Sequence, residues 1–248
     1  MYMSFHFDLL FLLIIPSLHF RYIDSNWAWN STNVHAIIHA PFLGQSAGSA
    51  VASVVIGDTN PSARTTHTWY VDAARDLPPL ADYSFNSLYN RTYRYTTAPV
   101  TFPFGYGLSY SLFTYSNLVI TPLIASPCQN ISVTLTIQNT SPVDGTEVVQ
   151  VYASLRNASI TPVPIHQLLA FQTVFVLAEA SVSVAFVLPP DTRTVLLGNG
   201  LVATVEPGLV SLWVGGMSDP VISSKITPGA GIHGGFTING IPTPVSSC

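Results

Sequence analysis

The chain has 248 residues, of which 8 are Lys or Arg and 12 are Asp or Glu, so charged residues make up 8% and the net charge is −4. Soluble proteins average about 25% charged residues, and so few basic side chains form no stripe for phosphates, which excludes nucleic-acid binding. The length allows one large or two small domains. The 48% of apolar residues, with so little charge, predicts an apolar interface on the surface.

An apolar run from Leu9 to Ile15 stands near the start of the chain. It has the length of a signal-peptide hydrophobic region and is too short to span a bilayer. Asp8 precedes it, however, and the flank lacks Lys and Arg. A buried parallel strand has the same continuous apolar pattern. A third interpretation is that residues 1–26 are the artificial start of a truncated gene. The remnant strand and the truncation are favoured over a true signal.

The stretch that follows is typical of α/β structure. Val34–Ala40 predicts a strand, and the small residues of Ser46–Ile56 predict a helix whose N-cap is Ser46 or Ser49. Thr65–Val71 predicts a short strand. Residues 72–101 contain three prolines and are expected to be irregular.

Beyond residue 113 the apolar pattern changes to a period of two. In Ile131–Ile137 apolar residues alternate with Ser and Thr, which indicates an antiparallel strand with one wet face. Three further strands are predicted at Thr146–Leu155, Ser181–Leu188 and Leu209–Val214. Strands separated by turn signals, with no helical pattern, indicate a two-sheet sandwich.

Between these regions lies Phe102-Pro-Phe-Gly-Tyr-Gly-Leu-Ser-Tyr110, a segment rich in aromatic residues and glycine. It resembles the segment that joins the second domain of family 3 glycoside hydrolases to their fibronectin type III-like domain. Other runs resemble further motifs of that family in the family's order: Gly44–Gly48, Ile56–Ser62, Asp76–Pro79, Asp82–Ser84, Arg91–Tyr95, Asp144–Tyr152, Glu206–Gly208 and Val214–Gly216. Ordered agreement over most of a chain is more specific than one short motif.

The resemblance implies a mainly β fold, with a C-terminal fibronectin-III/immunoglobulin-like β-sandwich preceded by a truncated α/β sandwich remnant. We therefore expect an N-terminal segment at 1–26, an α/β unit at 27–101, a linker at 102–112 and a sandwich at 113–248.

The enzymes of this family are β-glucosidases, β-xylosidases and relatives. The resemblance implies an Asp nucleophile in an N-terminal barrel and an acid/base Glu upstream of the matched region. The only glutamates here are Glu147, Glu179 and Glu206, all in the β-rich half, whereas retaining glycosidases need two carboxyl groups about 5–5.5 Å apart. We expect a C-terminal fragment of an exo-acting β-glycosidase without catalytic residues, whose partners are the missing barrel, the missing α/β portion and β-linked saccharides.

Arg91 and Arg94 are the weak candidates for sugar binding, since guanidinium groups donate to hydroxyls. The favoured alternative is that they bind neighbouring carbonyls, or Asp76 and Asp82. Asp144-Gly145 is a turn dipeptide, so the adjacent Glu147 is expected to be a surface or interdomain anchor.

Two other classes of function stay open. Gly44–Gly48 also matches the Gly-x-Ser-x-Gly nucleophile elbow of serine hydrolases, with Ser46 as nucleophile. The all-β C-terminal half does not suit that fold. A secreted carbohydrate-binding or interaction module needs an exposed aromatic platform, for which Tyr106 and Trp213 are the candidates.

No cofactor or metal is expected. His35 and His39 lie four residues apart without a third ligand nearby. Cys128 and Cys248 are the only cysteines, and they pair if the last strand returns near residue 128.

The chain contains five Asn-x-Ser/Thr sequons, which are candidates for N-glycosylation. Their density favours a secreted, extracellular parent protein. The acceptor residues are Asn30, Asn90, Asn130, Asn139 and Asn157, and Pro142 just after the fourth sequon hinders its use.

Overall fold

The computed structural model describes residues 11–17, 30–32, 34–41, 44–71, 81–82, 90–155, 163–197, 202–218 and 231–248. Strands dominate these residues, so the expected mainly β fold class is confirmed. Some sequence-based expectations lie outside the described residues: Leu9, the Asp76–Pro79 motif and the Asn157 sequon.

The α/β unit is built around a parallel pair of strands. Strand β1 (Phe11–Ser17) runs parallel to β2 (Val34–Pro41), which is one of the interpretations that the sequence allows for the apolar run. A 3-10 turn at Gly44–Ser46 leads into helix α1 (Ala47–Val55), close to its predicted bounds. None of the side chains of α1 is buried.

A second strand pair connects this unit to the linker. Strand β3 (Trp69–Tyr70) is antiparallel to β4 (Val100–Phe102), and the four-residue helix α2 (Thr92–Tyr95) precedes β4. The strand expected at Thr65–Val71 is shorter than predicted. The reason is that the backbone N–H of Thr65 donates to Tyr106 O and the Thr65 carbonyl accepts from Gly105 N, so these groups bind the linker.

The sandwich consists of two main sheets. The first sheet consists of β5 (Phe113–Thr121), β7 (Ile131–Asn139) and β10 (Ser181–Leu188). These three strands are antiparallel and lie in the order β10-β7-β5. The second sheet consists of β6 (Ile124–Ala125), β8 (Gly145–Leu155), β9 (Gln167–Val176), β13 (Gly208–Gly215) and β14 (Gly231–Ile238). Its five strands lie in the order β6-β14-β13-β8-β9.

A small third sheet closes one end. It has the order β11-β12-β15, from β11 (Val195–Leu197), β12 (Val202–Val205) and β15 (Thr243–Pro244), with 3-10 turns at Pro190–Arg193 and Val245–Ser247. The four strands predicted from the period-two pattern correspond to β7, β8, β10 and β13.

The core lies between the two main sheets. On β7 the residues of the alternating pattern are at most 1% exposed, and the intervening polar residues face outward. The facing strands contribute their own alternating apolar residues to the same cluster. Its members include Ile131, Val133, Leu135, Ile137, Val149, Val151, Val184, Phe186, Leu188, Val210, Leu212 and Val214.

A disulfide and a buried arginine fix the end of the sandwich. Cys128 and Cys248 are bonded across 120 residues of sequence, with their Cα atoms 5.1 Å apart. Arg193 is 0% exposed, and it donates to the carbonyls of Pro127 (3.0 Å) and Gln129, which flank Cys128, and of Leu188 (2.9 Å). The arginine therefore holds the loop that carries the first cysteine.

Candidate functional site

The linker passes directly between the two units, and Gly105 is its point of closest approach. Gly105 has a φ of +80°, and a Cβ added there would lie 2.1 Å from Oε1 of Gln150 on β8. Its amide donates to Thr65 O at 2.8 Å, and its carbonyl accepts from Nε2 of Gln150 at 3.3 Å. Only glycine fits here, because φ is positive and the neighbouring Gln150 leaves no room for a Cβ. The same backbone position is hydrogen-bonded to both units.

The other linker glycine faces the α/β unit. A Cβ added at Gly107 would lie 2.3 Å from Ala63 O and 3.1 Å from the Arg64 side chain. Close backbone contact, rather than flexibility, thus explains both glycines of the aromatic segment.

Asn60, from the Gly-Asp-Thr-Asn-Pro-Ser run, is the hydrogen-bonding centre of the junction. Its Nδ2 donates to Ser111 Oγ and to Asp144 O, each at 2.8 Å. Its Oδ1 accepts from Ser109 Oγ at 2.9 Å and from Tyr110 N at 2.8 Å. Every donor and acceptor of the amide is used, so this one side chain joins the α/β unit, the linker and the turn before β8.

A buried ion pair lies beside Asn60. Arg64 Nη2 is 2.8 Å from Glu147 Oε2, and the two side chains are 9% and 5% exposed. Tyr115 on β5 donates its hydroxyl to Glu147 Oε1 at 3.0 Å. Burial, and then the Glu147 charge, hold the pKa of Tyr115 well above its usual range, so the phenol stays a donor.

Glu147 is therefore an interdomain anchor, as expected, and both of its oxygens are occupied. A Cβ added at Gly216 would lie 2.6 Å from Glu147 Oε1, which leaves no room beside the carboxylate. Asp144, three residues away, accepts from Ala178 N at 2.7 Å through Oδ1. The two carboxylates have separate structural partners and do not form an acid/base pair.

Aromatic side chains continue the junction across the five-stranded sheet. Tyr93 of α2 stacks on Phe104 with ring centroids 4.5 Å apart, and meets Tyr152 of β8 edge-on at 5.8 Å. Tyr152 donates to Gln150 Oε1, and Gln150 donates to Gly216 O at 2.7 Å. The outer face of β8 is thus covered here by α2 and the linker.

The two arginines predicted as sugar-binding candidates lie close to this interface. Arg91 donates to the backbone carbonyl of Asp82 at 2.7 Å, in agreement with the favoured alternative. The Arg94 guanidinium lies 5.8 Å from the centroid of the Tyr95 ring, and the Arg94 carbonyl accepts from Ile165 N at 2.7 Å. Their role in sugar binding stays a prediction.

Ser46 does not have the geometry of a nucleophile elbow. The catalytic serine of an elbow sits on a strained strand-to-helix turn, whereas Ser46 has φ −86° and ψ 9° at the N-cap of α1. The left-handed residue of this turn is Gly44, with φ +68°. The pentapeptide is therefore an ordinary turn into a helix.

A small aromatic cluster surrounds Trp69, which is 2% exposed. His67 stacks on Trp69 at 5.4 Å, and His39 meets it edge-on at 5.0 Å. Burial lowers the pKa of both histidines, and the neighbouring His67 charge adds to the effect at His39. Phe102 packs on the indole at 5.7 Å.

Within the described ranges, no group of three or more His, Cys, Asp or Glu residues is placed to hold a metal ion. The helices described in the structure include none with the length and apolar character needed to cross a membrane.

The described glycosylation candidates differ in accessibility. Asn30 and Asn130 are exposed, Asn90 is half-buried with φ +50°, and Asn139 is 0% exposed. Their modification remains a prediction.

The fold and the junction together define a class: a β-sandwich held against the end of an α/β unit by a buried ion pair and a glycine-containing aromatic linker. Residues 17–110 match the family model described as "Glycosyl hydrolase family 3 C-terminal domain", and residues 147–218 match the one described as "Fibronectin type III-like domain". The chain therefore belongs to the C-terminal region of glycoside hydrolase family 3.

Individual relatives agree with this assignment. The chain is 32% identical over 200 residues to "Beta-D-xylosidase 1" of Arabidopsis thaliana. That alignment covers 65% of this chain and 25% of the relative. The chain is 32% identical over 236 residues to "Probable beta-glucosidase D" of Emericella nidulans, covering 84% of this chain and 28% of the relative. It thus spans little more than a quarter of the length of these curated relatives.

A solved structure with the same fold is a GH3 β-glucosidase from Bifidobacterium adolescentis. The TM-score is 0.74 at 26% identity, and the match covers 92% of this chain and 32% of that chain.

Proposed function

We propose that these residues form the C-terminal part of a retaining, exo-acting β-glycosidase that removes glucose or xylose from β-linked oligosaccharides. The junction is the observation that carries this proposal. Residues from both family domains meet in a buried ion pair, and beside it Asn60 binds the linker and the turn before β8. In this role the sandwich braces the α/β unit and thereby the sugar site to which that unit contributes.

The partner implied is the barrel and the remaining α/β portion of such an enzyme. Support comes from the surface of the α/β unit, where α1 buries none of its side chains and Ile56 at its end is 70% exposed. Incompletely buried apolar residues on a short helix are typical of a surface that packs against another part of a protein.

The 248-residue chain is expected to be inactive by itself. Glu147 is fixed by Arg64 and Tyr115, Glu206 is 5% exposed in the sandwich, and Glu179 lies in an exposed turn with φ +57°. All three glutamates lie in the β-rich half, outside the α/β unit.

The parent activity is tested by sequencing long-read cDNA across the 5′ end of the transcript. An upstream reading frame that encodes a barrel with an Asp nucleophile supports the glycosidase, and a transcript that starts at Met1 overturns it. The inactivity of the chain is tested with nitrophenyl β-glucoside and β-xyloside, with the Bifidobacterium adolescentis enzyme as positive control. Our expectation is contradicted if the pure chain hydrolyses either substrate and Glu147→Ala abolishes that turnover.

An extracellular location is part of the proposal. The bond between Cys128 and Cys248 supports it, because disulfides persist in oxidising compartments and are rare in the cytosol.

A second candidate function is polysaccharide binding by the sandwich. The residues expected to form its platform are not available: Trp213 is 7% exposed and donates to Met217 O, and Tyr106 stacks on Phe102 at 5.2 Å. The exposed aromatic pair is instead Phe171 and Phe175 on the edge strand β9, at 66% and 62% exposure.

Pull-down with insoluble xylan and cellulose tests this alternative. The module is supported if the chain binds and if Phe171→Ala and Phe175→Ala remove that binding. Val187→Ala, on the other sheet, is the control and should leave binding intact. Unchanged binding in the aromatic variants, or no binding at all, refutes it.

A further inference from the structure

Two of the sequons lie at the two ends of strand β7 and have opposite environments. Asn130 is exposed, whereas Asn139 is 0% exposed. We infer that Asn130 carries an N-linked glycan and that Asn139 stays unmodified because its sequon is a by-product of turn geometry.

The side chain of Asn139 is used completely by the fold. Its Nδ2 donates to Val143 O at 2.8 Å and to Val176 O at 3.3 Å, while its Oδ1 accepts from Ser141 N at 3.0 Å. Glycosylation replaces one Nδ2 hydrogen with a sugar, which removes a donor and places a bulky group in the interior. A chain modified at this position cannot form the observed turn.

The hydroxyl residue of the same sequon is structural as well. Ser141 is 0% exposed, and its Oγ accepts from Leu112 N at 2.8 Å. An Asn whose side chain bonds the backbone two residues on is an Asx-turn. The turn between β7 and β8 therefore requires Asn and Ser at the spacing that also defines a sequon.

Pro142 protects this turn during synthesis. Glycans are attached before folding buries the acceptor, so an unfolded chain would offer Asn139 to the transferase. Pro142 follows Ser141 directly and hinders use of the sequon. Removal of the proline is expected to allow modification at a site that the native fold cannot accommodate.

Asn130 lies on an exposed and well-fixed turn. Its own side chain makes no hydrogen bond within the described residues. Gln129 N donates to Ser126 O at 3.1 Å, Ser126 N donates to Gln129 Oε1 at 3.3 Å, and Arg193 holds the Gln129 carbonyl from beneath. The fold accepts a glycan here without any loss of contacts.

The disulfide is an independent observation that favours the modification. Cys128 is bonded to Cys248 and lies two residues before Asn130. Disulfides form in the secretory compartment, which also supplies the glycan donor, a lipid-diphosphate-linked oligosaccharide. In the transfer a bond forms between sugar C1 and Asn Nδ2, the C1–O bond to the diphosphate breaks, and Nδ2 loses one proton.

The test is glycopeptide mass spectrometry of the full 248-residue chain, secreted from a eukaryotic host with a leader peptide. Release of glycans by an amidase in H₂¹⁸O converts each occupied Asn to labelled Asp. Label at Asn130 and none at Asn139 is the expected result. Label at Asn139 in the secreted protein, or none at Asn130, overturns the inference.

Matched variants separate the two roles. Asn130→Gln and Ser132→Ala should each remove one glycan and leave the thermal midpoint within a degree or so of the deglycosylated parent. Asn139→Gln should change no glycan mass but lower the midpoint and the secreted yield. Pro142→Ala should give label at Asn139 in the retained, unsecreted fraction, which is measured whether or not the variant folds; an unlabelled retained fraction contradicts the role of the proline.

Discussion

The sandwich and the α/β unit bury their apolar residues in different ways. Among the described residues, the sandwich has one continuous core of 22 buried apolar residues, of which 20 come from its two main sheets and two, Val195 and Val205, from the small third sheet. A second, smaller cluster of buried apolar residues has three members. Trp69 lies in the α/β unit, Phe102 in the linker and Met217 in the sandwich.

The difference shows which region depends on the other. Helix α1 has no buried residue, so in the described part of the chain the order of the α/β unit comes largely from its contacts with the linker and the sandwich. A domain stabilises itself by burying apolar surface, and the sandwich satisfies that condition from its own strands.

The largest expected effect concerns the sandwich alone. Replacement of Cys128 and Cys248 by Ala opens a loop of 120 residues and should lower the free energy of unfolding by about 5 kcal/mol on the chain-entropy model. Guanidinium unfolding followed by circular dichroism measures the change, with the reduced parent as control. A loss below about 1 kcal/mol would show that the buried Arg193 suffices to hold this end.

The next effect breaks the junction. Glu147→Ala leaves the Arg64 guanidinium buried without its partner, which costs about 3–5 kcal/mol. Hydrogen exchange should show lost protection at residues 60–66 and 102–111, with the β7 core little changed. The double variant Arg64→Leu/Glu147→Leu removes both charges and should recover much of the loss; equal loss in β7 would contradict the idea that the sandwich is self-sufficient.

A third prediction compares two glycines with positive φ. Gly105→Ala adds backbone strain and displaces Gln150, because the new Cβ lies 2.1 Å from Oε1, and should cost about 2–4 kcal/mol. Gly44→Ala has the same strain with nothing within 4 Å of the added Cβ, so it should cost only about 1–2 kcal/mol. Thermal unfolding of both variants measures the difference, and equal midpoints would refute the role of the close contact.

The sequence predicted the sandwich better than the junction. Alternation over Ile131–Ile137 identifies β7 because one face is buried and one is wet. Glu147 was expected to be an anchor, but its partner Arg64 lies 83 residues earlier, and no local pattern relates two residues so far apart.

Buried polar residues were missed for a related reason. An Asn before Pro, such as Asn60, normally indicates no more than a turn, whereas the Asn60 side chain makes four hydrogen bonds. Arg193 is charged and lies in a short irregular segment, which normally indicates exposure, and only the tertiary structure shows the three carbonyls that it binds.

The smallest expected effect is a pH dependence confined to the Trp69 cluster of the α/β unit. His39 and His67 both have pKa values lowered from 6.5 by burial. The unfolded chain therefore binds more protons than the folded one at pH values just below 6.5. Since stability rises with pH wherever the unfolded state binds more protons, the free energy of unfolding should fall as the pH drops through this value.

The histidine variants decide whether this cluster senses pH. His39→Gln and His67→Gln should each flatten the decrease between pH 7 and pH 5, because each removes one lowered pKa, and His67→Gln also removes the charge that adds to the shift at His39. The control is His35→Gln, an exposed position on the same strand outside the cluster, which should leave the profile unchanged. Hydrogen exchange of residues 63–70 as a function of pH is the measurement, because the sandwich would mask so small a change in global unfolding. Loss of protection in β7 rather than in β3 on acidification would place the pH response in the sandwich and contradict its assignment to the Trp69 cluster.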